Sequence, residues 1–145
     1  MRPLAAGLAE ALDPRAEKPL PALTRHPDAR VRSRTVGGLS RQVQQADPDA
    51  VAAVLARTRD TDAKVREAAC RVLLRARADD PAPCDALAAC LSDPEEAVRF
   101  TAAVQLALRD DPRGDALLDA LDGIVDRTSP YYWPLRDVWR HRENR

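Results

Sequence analysis

The chain has 145 residues, of which 45% are hydrophobic, 32% charged and only 3% aromatic. Its 23 basic and 23 acidic side chains cancel at pH 7, which argues against generic binding to nucleic acid or to acidic membranes. It contains no apolar run of the roughly 18 residues needed for a transmembrane helix. Alanine, leucine and arginine dominate, and these strong helix formers predict one all-α domain spanning residues 1–145.

The predicted elements begin with a helix at residues 3–12, after which Asp-Pro pairs punctuate the chain at intervals of 34, 33 and 31 residues. The pairs are Asp13-Pro14, Asp47-Pro48, Asp80-Pro81 and Asp111-Pro112. Aspartate is a favoured N-cap, and proline suits the first helical position, where its missing N–H costs nothing. We therefore predict that each pair opens a repeat. The repeats are predicted near 13–46, 47–79, 80–110 and 111–145.

Each predicted repeat has a second helix marked by Val-Arg, namely Val31-Arg32, Val65-Arg66 and Val98-Arg99. A threonine or alanine follows each valine after four residues, and a leucine follows after eight. These positions share one helical face, so each second helix is predicted to bury the same edge. A first helix precedes it, marked by Leu20, Val54, Leu87 and Leu121. A helical hairpin exposes an apolar face that only a neighbour covers, so the hairpins are predicted to stack.

The pattern of acidic turn, Val-Arg, paired alanines and leucine resembles HEAT repeats, most closely the short repeats of phycobilisome-lyase-like proteins. Residues 47–110 carry the resemblance best. It implies a right-handed α-solenoid of about four HEAT-like hairpins plus the N-terminal helix, with the second helices lining a concave face that binds partners. The first repeat departs from the pattern at Gly37 and Gly38, and the fourth has Tyr132 in place of the arginine. The lyase relatives attach bilins, but no chromophore site is marked here, so the resemblance supports the fold and not that activity.

Residues that carry catalytic or metal chemistry are sparse. His26 and His141 lack the context of a catalytic triad, and there is no glycine-rich phosphate loop. Cys70, Cys84 and Cys90 lack metal-ligand spacing and are interpreted as buried small residues in a reducing cytosol. We expect a cytoplasmic protein without enzymatic activity, cofactor or metal.

The function favoured is a non-enzymatic adaptor or scaffold that binds a protein on its concave face. Alternatives are nucleic-acid binding through the arginine-rich first repeat, "RHPDARVRSR" with Arg41, and a small immunity-type inhibitor of an enzyme. The predicted partner-binding residues are Arg34, Arg41, Glu67, Arg71, Arg75, Thr101, Gln105, Arg109 and Tyr132.

The arginines of the Val-Arg pairs are predicted to form a structural ladder. Asp28–Arg32, Asp62–Arg66 and Glu95–Arg99 each place an acid four residues before an arginine, a stabilising arrangement on a helix. A row of arginines facing a ligand is the alternative.

Two further hypotheses concern the ends of the chain. Tyr131, Tyr132, Trp133 and Trp139 either cap the last apolar face or form a partner hot spot. Residues 1–79 carry 15 basic and 10 acidic side chains, and residues 80–145 carry 8 and 13, which allows weak head-to-tail self-association. The divergent ends are those expected of a complete array.

Overall fold

The computed structural model describes residues 21–145. The predicted helix at residues 3–12 and the start of the first predicted repeat lie outside this range. Within the described residues the regular structure is entirely helical, which confirms the all-α prediction. The α-helices are α1 (Ala29–Gly38), α2 (Ser40–Gln44), α3 (Pro48–Arg57), α4 (Ala63–Leu73), α5 (Pro81–Cys90), α6 (Glu96–Leu108), α7 (Asp115–Asp119) and α8 (Tyr132–Glu143). Short 3-10 helices at Pro21–Arg25 and Pro112–Gly114 precede α1 and α7.

Aspartate caps open the first helices as predicted. Asp47 accepts hydrogen bonds from the backbone N–H groups of Asp49 and Ala50 at the start of α3, and Asp80 accepts one from Ala82 at the start of α5. Asp111 caps a 3-10 helix rather than a long α-helix. The caps satisfy donors that a helix start leaves without an intrahelical acceptor.

The helices pair as hairpins, with α3 against α4 and α5 against α6. The second helices α1, α4 and α6 also pack on one another in succession. The predicted buried edge is confirmed in the central repeats, where six side chains are fully inaccessible: Val65, Ala69, Leu73, Val98, Ala102 and Leu106. All of these residues except Val65 belong to a continuous core that joins the hairpins and runs from Val36 to Leu106.

The second helix of the first predicted repeat is interrupted. Helix α1 ends at Gly38 and α2 begins at Ser40, with Leu39 between them. Glycine is the weakest helix former after proline, so the Gly37-Gly38 pair explains the position of the break. Leu39 nevertheless remains fully buried, and its N–H still donates to the carbonyls of Thr35 and Val36.

The last unit is shorter in its first helix and forms a second core. Helix α7 has five residues, and the chain then turns before α8. Leu118 of α7 and Leu135 and Val138 of α8 pack with Phe100 and Val104 of α6. Helix α6 therefore contributes to both cores. None of the helices within residues 21–145 has the length and apolar character needed to cross a bilayer.

Two glycines in contrasting surroundings test how closely the last unit packs. A Cβ added to Gly114 would lie 2.8 Å from the Ala103 Cα and 3.0 Å from its carbonyl oxygen, whereas one added to exposed Gly37 would meet nothing within 4 Å. We expect Gly114→Ala to lower the free energy of unfolding by about 1–3 kcal/mol through overpacking. Gly37→Ala is expected to raise it by about 0.5–1 kcal/mol through helix propensity. Urea unfolding followed by circular dichroism measures both, and equal effects of the two variants would contradict this packing.

Candidate functional site

Two arginines at the starts of second helices each bind an aspartate in the turn of the following repeat. Arg32 donates from Nε and Nη2 to the Asp60 carboxylate at 3.0 and 2.9 Å. Arg66 makes the same paired bonds to Asp93 at 2.8 and 3.0 Å. All four side chains are largely buried, with exposed fractions of 12%, 2%, 13% and 7%. Such bidentate, charge-assisted bonds are among the strongest polar contacts in proteins.

The same guanidinium groups also hold their own turns. Arg32 Nη1 donates to the carbonyls of His26 and Pro27, both at 2.9 Å. Arg66 Nη1 donates to those of Asp60 and Thr61 at 2.9 and 3.3 Å. Each arginine therefore joins the turn of its own repeat to the turn of the next. We call these Arg–Asp contacts between consecutive turns the ladder.

The sequence-based assignment of the arginine partners was wrong. It paired Arg32 with Asp28 and Arg66 with Asp62, four residues earlier on the chain. These aspartates instead cap their helices, with Asp28 accepting from the N–H of Arg30 at 2.9 Å and Asp62 from that of Lys64 at 2.8 Å. Because the caps occupy the nearby carboxylates, the arginines bond across the repeat boundary.

The surroundings of the ladder aspartates Asp60 and Asp93 lower the pKa of their carboxyl groups. Burial raises the pKa of Asp60 and Asp93, but the guanidinium of Arg32 or Arg66 and a backbone N–H two residues later lower it by more. The pKa of each carboxyl therefore lies below its ordinary value. Stability from these bonds is present above the ordinary carboxyl pKa and is lost as the pH falls through the lowered one.

The predicted partner-binding residues of the first two repeats are mostly accessible. Arg34 and Arg41 are exposed, as are Arg71 on α4 and Arg75 in the turn that follows it. Glu67 is half-buried and forms an ion pair with Arg71. Arg34, Arg41 and Arg75 have no carboxylate partner among the described residues. Glu67 and Arg71 are four residues apart and therefore share a face of α4 that differs from the one on which Val65, Ala69 and Leu73 are buried.

The predicted residues of the third repeat are placed differently. Thr101 and Gln105 are buried, with 6% and 9% of their surfaces exposed, and the Thr101 hydroxyl lies 3.4 Å from the Glu67 carboxylate. A partner cannot reach them without rearrangement. A step of 33 residues from Glu67, Arg71 and Arg75 leads instead to residues 100, 104 and 108.

Those three equivalent positions are the apolar residues Phe100, Val104 and Leu108. They pack with the C-terminal unit rather than facing solvent. The predicted contact residues Thr101, Gln105 and Arg109 are the polar neighbours one position later. Strict application of the period would have identified the apolar row and shown that something must cover it.

Arg109, also a predicted partner-binding residue, caps the C-terminus of α4. Its Nη1 donates to the carbonyls of Leu73 at 3.3 Å and Ala76 at 2.7 Å, and its Nη2 donates to that of Arg77 at 2.8 Å. Its Nε lies 3.2 Å from the sulfur of Cys84. Helix-end carbonyls lack intrahelical donors, and a guanidinium satisfies several at once.

The C-terminal aromatics divide between the cap and the surface. Tyr131 stacks on Phe100 with ring centroids 4.1 Å apart, and Trp139 packs against the second core. Trp133 is 61% exposed. Half-buried Tyr132 meets the Trp133 ring edge-on and accepts a hydrogen bond from Arg136 at 3.4 Å.

Trp133 borders a surface groove of about 630 Å³, which we call the aromatic groove. It is lined by Tyr132, Trp133, Arg136, Trp139, Arg140 and Glu143. The Arg136 guanidinium carbon lies 5.9 Å from the centroid of the Trp133 ring, within range of a cation–π contact. Hydrogen bonds from Arg136 and Arg127 lower the pKa of Tyr132.

The basic first repeat offers fewer free cations than its sequence indicates. Arg30 pairs with Asp28 at 3.3 Å, and Arg32 is engaged in the ladder. Arg34 and Arg41 remain without a carboxylate among the described residues. The structure does not bring together four free arginines for a phosphate backbone.

The cysteines and acidic residues form no recognisable metal site within residues 21–145. Cys70 and Cys90 are buried as predicted, whereas Cys84 is half-buried. All three are free thiols.

The ladder predicts an unequal response of two aspartates. Asp93→Asn keeps an acceptor for the N–H of Glu95 but removes the charge facing Arg66, so we expect a loss of about 2–3 kcal/mol in the free energy of unfolding. Asp79→Asn is the matched control, because the Arg77–Asp79 pair is exposed at 62% and 70%; it should leave stability unchanged. Urea titrations at pH 7 compare the two.

The pH dependence supplies a second prediction. The free energy of unfolding of the native sequence should fall as the pH decreases from about 5 to 3, because the ladder carboxylates must then be protonated. Asp93→Asn should flatten this dependence, since one group with a lowered pKa is gone. A curve parallel to that of the native protein would show that Asp93 does not contribute to it.

Comparison with known proteins agrees with a helical repeat protein. The family model described as HEAT repeats matches residues 3–73 and again residues 51–131. No curated protein and no solved structure matches the chain. The two family matches overlap and together cover most of the sequence, so this chain belongs to the HEAT-repeat family and is an α-solenoid.

Proposed function

We propose that the protein is a non-enzymatic adaptor that binds a protein partner through the aromatic groove and the exposed face of its second helices. HEAT repeats generally mediate protein–protein interaction, and a rigid stack holds contact residues over an extended surface. The three free cysteines, all within the described residues, fit a reducing, cytoplasmic setting.

The observation that carries the proposal is the exposure of Trp133. The indole presents 61% of its surface to solvent while Arg136 lies over its ring. Tryptophan, tyrosine and arginine are the residue types most enriched in protein-binding hot spots. A partner that fills the aromatic groove would desolvate the indole and gain its apolar area.

The aromatic groove is formed by residues of α8, which is packed against the second core. Leu135 and Val138, on the opposite side of α8, are 1% and 0% exposed and anchor the helix to the second core. Binding at Trp133 therefore requires little ordering of the backbone. Preorganisation of this kind raises affinity by reducing the entropy lost on association.

The second part of the proposed surface is polar. Arg34 of α1, Arg41 of α2 and Arg75 in the turn after α4 are exposed and have no carboxylate partners among residues 21–145. Arg71 of α4 is also exposed and pairs with Glu67. Cations of this kind contribute to the association rate and to the choice of an acidic partner more than to affinity. The predicted contact residues Thr101, Gln105 and Arg109 are left out of this surface because they are buried or bonded internally.

The proposal is tested with two exposed apolar residues of the last unit. Tagged native protein, Trp133→Ala and Ile124→Ala are used to capture partners from the native lysate, with and without nuclease, at about 50 and 300 mM salt. A protein recovered in stoichiometric amount should then bind purified Trp133→Ala at least ~30-fold more weakly, as expected for a hot spot of about 2 kcal/mol. Ile124→Ala, whose side chain is 75% exposed, should bind like the native chain.

Other results would contradict the adaptor. Recovery of nucleic acid alone, removed by salt and nuclease, would favour the arginines of the first repeat as the binding site. A stoichiometric enzyme whose activity the protein blocks would identify the inhibitor alternative. Equal binding by Trp133→Ala and the native protein would remove the aromatic groove from the interface.

A further inference from the structure

The two complete contacts of the ladder define how an aspartate is recognised. In each, the arginine Nη1 is held by two carbonyls of its own turn, and the Nε–Nη2 edge receives a carboxylate from the next turn. Asp60 and Asp93 also each accept the N–H two residues later at 2.9 Å. The carboxylate is thus presented at the start of a tight turn, with both of its oxygens bonded to the arginine and Oδ1 also accepting the backbone N–H.

The third arginine has the same orientation but only half of these bonds. Arg99 Nη1 donates to the carbonyls of Asp93 and Pro94 at 2.7 and 3.1 Å, which matches the way Arg32 and Arg66 hold their turns. Its Nε and Nη2 have no hydrogen-bond or ion-pair partner among the described residues. The held Nη1 leaves the other edge of a half-buried guanidinium oriented for a carboxylate.

The chain's own candidate does not fill this edge. A step of 33 residues from Asp93 leads to Asp126, whose carboxylate accepts the N–H and hydroxyl of Thr128 at 2.9 and 2.5 Å. Asp126 makes no ion pair with Arg99. The ladder therefore ends on an arginine prepared for an aspartate that the last unit does not supply.

We propose that Arg99 is a docking site for an aspartate carboxylate of a partner protein, presented at the start of a turn as Asp60 and Asp93 are. The partner carboxylate accepts from Arg99 Nε and Nη2 and extends the ladder across the interface. A bidentate arginine–carboxylate contact fixes direction as well as position, so it would orient the bound protein.

A second copy of this chain is a poor occupant. The position 34 residues before Asp60 holds His26, whose Nδ1 accepts the N–H of Asp28 at 3.0 Å. His26 thus stands where the ladder requires aspartate. An imidazole cannot accept two parallel N–H bonds from a guanidinium, whereas a carboxylate can. Head-to-tail stacking in this register would place His26, and not a carboxylate, opposite Arg99, so we infer that the complementary charge comes from a different protein.

This inference uses a residue outside the aromatic groove and the exposed α4 face. Loss of partner binding in Trp133→Ala and loss of carboxylate binding at Arg99 are separate results. Either proposal survives the failure of the other.

The test uses a peptide that copies a turn the ladder already recognises. Residues 91–98, LSDPEEAV, supply the Asp93 turn, and a second peptide carries Asp93→Asn with every other charge unchanged. Each is titrated into the full ¹⁵N-labelled chain while the arginine Nε–H resonances are followed. We expect a saturable shift of the Arg99 resonance at millimolar peptide, with binding of the asparagine peptide about tenfold weaker.

Two controls keep the result specific. Arg136 is exposed and has no carboxylate partner among the described residues, so its resonance should not follow the aspartate peptide if recognition depends on the held geometry of Arg99. In Arg99→Lys, the main-chain shifts caused by the peptide around residues 93–99 should weaken by a similar factor. The proposal is overturned by equal shifts with both peptides, by equal responses of Arg99 and Arg136, or by no saturable shift up to about 10 mM.

Discussion

The paired hydrogen bonds from an arginine of one repeat to an aspartate of the next are the contact on which this stack depends. Apolar burial drives the hairpins together, but it is nondirectional and tolerates sliding. Arg32–Asp60 and Arg66–Asp93 each admit one register, because both oxygens and both nitrogens must meet within about 3 Å. The two contacts thus fix the relative position of the turns, and with them the surfaces that successive second helices present. A buried bidentate pair contributes specificity of this kind even where its net stabilisation is modest.

The sequence was sufficient to predict the period, the caps and the buried edge. Those features depend on local propensity and on helical geometry, both visible along one chain. The ladder partners were not predicted, because Asp28 and Asp62 offered nearer carboxylates and only the fold shows that their oxygens are already used. The prediction of partner-binding residues in the third repeat was wrong for a related reason. Thr101 and Gln105 are polar, so composition placed them outside, whereas packing against neighbouring helices buries them.

Arg109 is another residue whose position could not be predicted from its charge. Charge alone predicts an exposed residue, yet its guanidinium satisfies carbonyls at the end of α4, in the preceding repeat. Near the end of the array, ion pairs join α8 and the residues after it to residues earlier in the chain: Arg142 binds Asp115 at 2.7 Å and Arg145 binds Asp110 at 3.0 Å. Long-range polar contacts of this type leave no periodic signal. Only the structure, which shows these contacts, distinguishes the arginines that stabilise the stack from those that remain available to bind a partner.

Helix α6 has a consequence for how the array comes apart. Linear repeat proteins lose structure most readily at their ends, since a terminal unit has one neighbour. Here Val98 and Leu106 belong to one core, while Phe100 and Val104 of the same helix belong to the other. Peeling away α8 would strip α6 along its length rather than detach an independent unit. We therefore expect the C-terminal half to unfold as one cooperative block. Among the described residues, the division between α1 and α2 at Leu39 is the place where local melting is expected first.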